Sequence, residues 1–288
     1  MEQVKKILII GSKGMAGHIV YHYFKASTSF ITIDIARDSS FHIPTYELDV
    51  SDLAALEHVV SLEKPDFVVN CVGVLNKSAD ENPEIAVLLN SYFPHYLAKL
   101  GGKLGFKVIH ISTDCVFSGK HGNYAETSVK DGVGMYAQTK SIGELNYGNN
   151  LTIRTSIIGP ELKGNGIGLF DWFMKQSGDI KGYSEAYWTG VTTLELAKAI
   201  HAALAEDLSG LVHLVNGNKI SKYHLLKMFA EVFSKDDLAV IPFLEYKVDK
   251  SLLPTKSGFD YAVPEYREML EMMKTWILNH NDLYSYKL

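Results

Sequence analysis

Three glycines spaced by three, Gly11, Gly14 and Gly17, stand directly behind the apolar run 6–10 and open the helical pattern of residues 16–25. A chain that leaves a strand on such a turn and enters a helix at once has few folds open to it. The first glycine permits the tight turn, the second leaves backbone room for a phosphate, and the third lets helix pack against strand. Amides at the helix start, at the positive end of its dipole, complete an anion site. Strand before and helix after separate the match from three glycines in an ordinary turn, so the segment reads as a dinucleotide-binding turn.

The same alternation continues along the chain. Apolar, β-branched runs at 30–35, 67–72, 107–112 and 151–155 are separated by helical patterns at 53–62, 86–104 and 135–147. The strands are apolar throughout rather than alternating, as suits a parallel sheet covered on both faces. The expected fold is α/β, a doubly wound parallel Rossmann sheet with a smaller, interleaved C-terminal substrate-binding lobe. At 288 residues the chain suits one large unit of this kind. Residues 1–158 are assigned to the dinucleotide-binding domain, with 191–217 returning to it, and 159–190 with 218–288 to the lobe. Stretches 159–168 and 178–190 read as irregular, flanking a segment at 169–175. Further on, 191–204 has helical spacing, 211–215 reads as a strand, Ser221 caps a helix at 224–233, and 265–279 forms the last helix.

Composition excludes several classes. With 28 basic and 33 acidic residues the formal charge is -5, which gives no attraction to nucleic acid or anionic membrane. Apolar runs are far shorter than the roughly 20 residues of a membrane helix, and the N-terminus enters a strand without a secretion-signal pattern. Cys71 and Cys115 are the only cysteines, sparse usage that fits a reducing, cytoplasmic location. The histidines show no metal-ligand spacing, so no metal is expected, and His110 reads as a strand residue.

Candidate site residues sit at strand ends. Asp34, closing the second strand, is placed to accept from adenosine ribose hydroxyls, or is a surface charge; Arg37, three residues on, can pair with a 2′-phosphate. NADPH or NADH is therefore the expected cofactor. Asp49, before Val50, either meets the adenine amino group or caps the next helix. Cys71, Val72 and Gly73 end the fourth strand, where small residues let the adenosine half lie against backbone. Tyr136 and Lys140 form Y-x-x-x-K, an i,i+4 pair on one helical face. A phenol with a pKa near 10 transfers protons at neutral pH only if a cation favours its phenolate, and Lys140 supplies one. Thr113, at the carboxyl end of the fifth strand, can hydrogen-bond a substrate carbonyl. Asp114 beside it either binds a sugar hydroxyl or is a turn residue, and Cys115 reads as inert without an activating motif. Trp172, Tyr187 and Trp188 are either packing residues or lining for a sugar.

The glycine turn, residues 109–117 (IHISTDCVF), 119–126 and 136–144 together resemble the dTDP-4-dehydrorhamnose reductase family of extended short-chain dehydrogenases. The resemblance runs through most of the chain and is strongest over residues 5–160. It implies a catalytic set of Thr113, Tyr136 and Lys140, with Lys140 and Tyr136 also at the nicotinamide ribose and Thr113, Asp114 and Tyr136 at the sugar. It places Gly14, Met15 and Ala16 at the pyrophosphate, and Arg154, Thr155 and Ser156 at a strand end closing over the nicotinamide. Ile157 stands where the family often has Trp, Cys115 where it often has Tyr, and Lys250-Ser251-Leu252 replaces an arginine-proline element. The implied activity is reduction of a nucleotide-linked 4-keto-6-deoxy sugar for surface polysaccharide precursors, with the nucleotide sugar as partner and a homodimer left open. Dehydration is disfavoured, because Cys115 fills the place of the extra acid/base. Epimerisation with the same Tyr–Lys pair, or a non-catalytic dinucleotide-binding role, are the alternatives.

Overall fold

The computed structural model describes residues 4–162, 166–286 and 288. Residues 163–165, inside the stretch expected to be irregular, lie outside them. The strands are β1 (Lys6–Ile10), β2 (Ile31–Ala36), β3 (Tyr46–Glu47), β4 (Phe67–Asn70), β5 (Lys107–Thr113), β6 (Leu151–Thr155), β7 (Ile157–Ile158), β8 (Gly178–Trp188), β9 (Val191–Thr192), β10 (Gly210–His213), β11 (Ile220–Ser221) and β12 (Leu238–Asp249). The α-helices are α1 (Met15–Ser27), α2 (Leu53–Glu63), α3 (Asn76–Glu81), α4 (Pro83–Ala86), α5 (Phe93–Leu104), α6 (Met135–Ile142), α7 (Leu169–Met174), α8 (Thr193–Ala205), α9 (Lys222–Val232) and α10 (Tyr266–Asn279).

Seven strands form one parallel sheet in the order β10-β6-β5-β4-β1-β2-β3. Alternate residues of β1 feed two cores, as a strand period of two requires. Ile7 and Ile9 pack with α1, α8 and α10, whereas Leu8 and Ile10 pack with α2 and α5. Coverage of both faces explains why the strand sequences are apolar throughout. Chain order reverses between β1 and β4, which opens a crevice at their carboxyl ends, the usual ligand position in such sheets. The expected α/β, doubly wound parallel architecture is present.

The second sheet is three-stranded, β11-β8-β12, with β12 parallel to β8 and β11 antiparallel to it. This part of the chain departs from the sequence expectation. Residues 178–190 are not irregular: β8 occupies eleven of them. Its buried positions include Gly182 and Ala186, so the alternation carries too little apolar bulk to read.

Residues 86–104 are helical throughout, as expected, but not α-helical throughout. A π-helical turn spans Val87–Tyr92, with the Phe93 amide bonded to Leu88 O. Pro94 has no amide to give the carbonyl four residues back, that of Asn90, and the ladder absorbs the defect as an extra residue per turn. α6 ends at Ile142 rather than running on to 147, with Gly143 as its C-cap. Among the described residues no helix is long and apolar enough to cross a membrane.

Candidate active site

The glycine turn is built by close contact. Gly11 has φ +85°, and a Cβ on Gly17 would lie 2.0 Å from Gly11 O, so only glycine lets α1 start this near the turn. Gly14 is different: the nearest atom to an added Cβ is Gly11 O at 3.4 Å, and the residue is exposed. It is the N-cap of α1, and no side chain among the described residues caps that helix start. The first-turn amides at Met15, Ala16 and Gly17 are left for an anion, which is what a pyrophosphate needs. The residues present therefore fit a dinucleotide.

Asp34 does not present itself as the sequence suggests. It is fully buried, with Oδ2 accepting from Ser12 Oγ at 2.6 Å and His42 Nε2 at 2.8 Å. Its Oδ1 accepts from the Thr45 amide at 2.8 Å and Thr45 Oγ1 at 2.9 Å. Burial alone would raise this carboxyl, but the bonds from His42, Ser12 and Thr45 outweigh it and hold the group below its ordinary value. With both oxygens engaged by the chain itself, Asp34 ties the glycine turn to the β2–β3 connection. Lys13 joins the same connection through Asp38 Oδ1 at 2.8 Å. Arg37 is exposed. Asp49 is exposed too, its carboxyl lowered first by the Ser51 amide and more weakly by Arg37; the cap of α2 is Asp52 instead. Val50 is buried in the α2 core.

Cys71, Val72 and Gly73 follow β4 across the crevice. A Cβ on Gly11 would meet Val72 Cγ2 at 3.0 Å, so this segment is the floor beneath the glycine turn. Burial pushes the Cys71 thiol up to about 12 and the Cys115 thiol up to about 11, and both stay protonated at neutral pH. Neither is in a disulfide.

At the end of β5, Thr113 is buried and its Oγ1 accepts from the Cys115 amide at 3.1 Å while donating to Asp114 Oδ1 at 3.2 Å. The Tyr136 phenol faces Thr113 and Asp114. Burial raises that phenol above its ordinary value, with Cys115 and Asp114 adding to the effect and Thr113 opposing it. One turn on, Lys140 Nζ donates to Ile111 O at 2.6 Å and meets His110 Nε2 at 3.2 Å. Burial lowers this ammonium to about 8, against the raising influence of Glu144 and Cys71. Thr113, Asp114 and Tyr136 are thus brought together, and Lys140 stands one turn along the same helix with its amino group on the β5 backbone.

The π turn holds α6 in place. Asn90 Nδ2 donates to Thr139 Oγ1 at 3.1 Å, and Ser91 Oγ donates to Thr139 O at 2.8 Å. Extra residues in helical ladders commonly mark functional sites, and this one braces the helix that carries Tyr136 and Lys140.

Arg154 is not turned toward the crevice. It is almost fully buried and gives two 2.8 Å bonds to Glu144, which also accepts from Ser112 Oγ at 2.7 Å. Trp188 is 2% exposed and packs on Tyr266, whereas Trp172 is 39% exposed on α7.

Two cations stand on the lobe side: Lys222, which no motif marks in the sequence, and Lys250, which stands in the place of the family's arginine-proline element. Lys222, first residue of α9, lies over the Trp188 ring at 5.0 Å; burial lowers it to about 8, opposed by Asp114 and Cys115. Lys250 is near enough to oppose the rise of the Cys115 thiol, and Ser251 beside it accepts from the Asn123 amide at 2.8 Å. A weaker signal exists for Lys222: a lysine in the first turn opposes the helix dipole, and such local conflicts gather at functional sites. Among the described residues no cluster of three or more His, Cys, Asp or Glu is placed to hold a metal.

A family profile described as RmlD substrate binding domain matches residues 5–262. The beta subunit of methionine adenosyltransferase 2 from Xenopus laevis is 31% identical over 142 residues, 49% of this chain and 42% of that protein. Its Xenopus tropicalis counterpart is 25% identical over 271 residues, 89% of this chain and 80% of that one. A dTDP-4-dehydrorhamnose reductase of Salmonella typhimurium is 28% identical over 222 residues, 73% and 72% of the two chains. Among solved structures, the Bacillus anthracis dTDP-4-dehydrorhamnose reductase in complex with NADP superposes with a TM-score of 0.80 at 18% identity, over 95% of this chain and 100% of that one. That likeness is one of fold.

Proposed function

Because the chain belongs to the RmlD substrate binding domain family, we propose that it is an NAD(P)H-dependent reductase of a nucleotide-linked 4-keto-6-deoxy sugar, serving surface polysaccharide precursor synthesis. One observation carries the reading: the Tyr136 phenol faces Thr113 and Asp114 at the carboxyl edge of β5, with Lys140 one turn along the same helix and bonded to Ile111 O of that strand. NAD(P)H, held at the uncapped start of α1, supplies the hydride when bound. The chain's own residues manage the proton. Burial keeps Tyr136 protonated at neutral pH, the form a reduction consumes, and the phenol gives its proton to the alkoxide forming at the sugar. Thr113, whose hydroxyl hydrogen goes to Asp114 in the structure, turns that donor to the same oxygen. Lys140 stabilises the phenolate left behind.

Asp114 is placed for a sugar hydroxyl, and Lys222 and Lys250 bring positive charge to the lobe side of the same crevice, suited to a diphosphate. With Asp34 already saturated, Arg37 is the exposed strand-end group for a 2′-phosphate, which favours acceptance of NADPH alongside NADH. Oxidation of NADPH and NADH with dTDP- and UDP-linked 4-keto-6-deoxy sugars tests the reading. Turnover on any of them supports it. The similarity to methionine adenosyltransferase beta subunits motivates a second reading, a non-catalytic dinucleotide-binding partner subunit. Cofactor binding without turnover across the panel would favour that one.

A further inference from the structure

The segment that ends β4 and the helix that carries Lys140 are joined by a chain of hydrogen bonds inside the sheet. Asn70, the last residue of β4, is fully buried, and its Oδ1 accepts from the Val72 amide at 3.1 Å. That bond fixes the amide's orientation, so Nδ2 is the group facing His110 Nδ1 at 3.2 Å. His110 is fully buried in β5, and its other nitrogen, Nε2, lies 3.2 Å from Lys140 Nζ.

Each ring nitrogen of a neutral imidazole either donates or accepts, and the partners decide which. An Asn70 N–H donating to Nδ1 leaves the ring proton on Nε2. Nε2–H then points at Lys140 Nζ, which accepts only as a neutral amine while its own N–H donates to Ile111 O. Protonating Lys140 places N–H against N–H. Relief requires the ring proton to move to Nδ1 and the Asn70 amide to turn its oxygen toward it, and the turned amide no longer accepts from Val72.

We propose that Asn70 and His110 act as a pair of positioning residues that set the protonation of Lys140 and couple it to the backbone beneath the dinucleotide turn. The proposal rests on the reading of Tyr136 and Lys140 as the working pair. As ammonium, Lys140 supports a Tyr136 phenolate; as amine, it does not. The Val72 amide, exchanged between the two states, belongs to the segment packed under Gly11, so occupancy of the turn and charge on Lys140 bias each other by equal factors. Groups that bear on Lys140 come from three directions: Cys71 after β4, His110 on β5, and Glu144 after α6. His110 faces Lys140 and, more distantly, His95 of α5, and burial pushes the imidazole well below its ordinary value, so it stays neutral throughout.

The test uses the full chain labelled with 15N-histidine and 13Cε-lysine, followed by NMR across pH 6 to 10, with His110→Gln and Lys140→Arg for assignment. The expected result is one shared midpoint, at or below about 8, at which Lys140 titrates and His110 exchanges its proton between Nε2 and Nδ1 without becoming imidazolium. Asn70→Asp, whose carboxylate can only accept from Nδ1–H, should hold one tautomer and raise the Lys140 midpoint by about one unit or more. A His110 that keeps one tautomer while Lys140 titrates overturns the proposal, as does a midpoint unmoved in Asn70→Asp. Neither readout needs a sugar substrate, so failure here is distinct from failure to turn over keto sugars.

Discussion

Gly143→Ala is a one-carbon change whose cost follows from a single contact. A Cβ at Gly143 would sit 1.9 Å from Asn90 O, 3.0 Å from Asn90 C and 3.3 Å from Pro94 Cγ. Two of those atoms belong to the backbone of the π turn, which has little freedom to yield in a close-packed interior. Reaching the 3.0 Å floor of real Cβ contacts means displacing α6 by about 1 Å. Overpacking of this kind costs roughly 1–3 kcal/mol of stability. The displaced helix carries Tyr136 and Lys140, and a misplacement of about 1 Å at reacting groups costs on the order of 10²-fold in rate. Gly102→Ala, inside α5 with nothing within 4 Å of the new carbon, is the control and should gain about 0.5–1 kcal/mol with turnover unchanged. Urea unfolding, NADPH titration and turnover on the keto-sugar panel separate the effects. A Gly143→Ala protein with the parent's urea midpoint and the parent's turnover would refute the close-contact argument.

Gly14→Val adds its branches where the chain leaves space, so the fold should lose only about 1 kcal/mol from the poorer N-cap. NADPH affinity should fall by roughly tenfold or more, about 1.4 kcal/mol, and calorimetry showing parent affinity in a folded variant removes Gly14 from the phosphate site. The pH dependence of stability has a stated window. Burial lowers His18, His22 and His213 from 6.5 to about 4. Their folded values lie below their unfolded ones, so their contribution is complete above pH 6.5 and is lost as pH falls toward 4. The urea midpoint should decline steadily across that interval, and a flat profile there would contradict the assignment of these imidazoles, His18 and His213 buried and His22 half-buried, as neutral.

Legibility in the sequence tracks how locally each feature is determined. The runs 6–10 and 151–155 coincide with β1 and β6, because strands buried on both faces announce themselves by apolar content alone. Ser221 is readable as an N-cap, and its side chain accepts from the His224 amide. β8 is not readable: its partner β12 lies some fifty residues downstream, and Gly182 and Ala186 occupy buried positions that a bulkier residue would have marked. The π turn depends on Pro94 together with the docking of Gly143, two features from distant parts of the chain. Asp34 stands at the strand end where the sequence puts it, but Ser12, His42 and Thr45, which saturate it, converge only in three dimensions. His110 is a strand residue in both sequence and structure, while its contact with Lys140 bridges β5 and α6 and leaves no trace in either segment.

The proposed reduction stands or falls on Tyr136 as the proton donor, and Tyr136→Phe isolates that role because the ring stays and only the hydroxyl goes. Single-turnover hydride transfer is measured at saturating NADPH on whichever keto sugar the parent accepts, with cofactor affinity measured in parallel. The rate should fall by about 10²–10⁴-fold while NADPH affinity stays nearly unchanged. Lys140→Met should reduce both. A Tyr136→Phe protein that transfers hydride at the parent rate would contradict the mechanism outright.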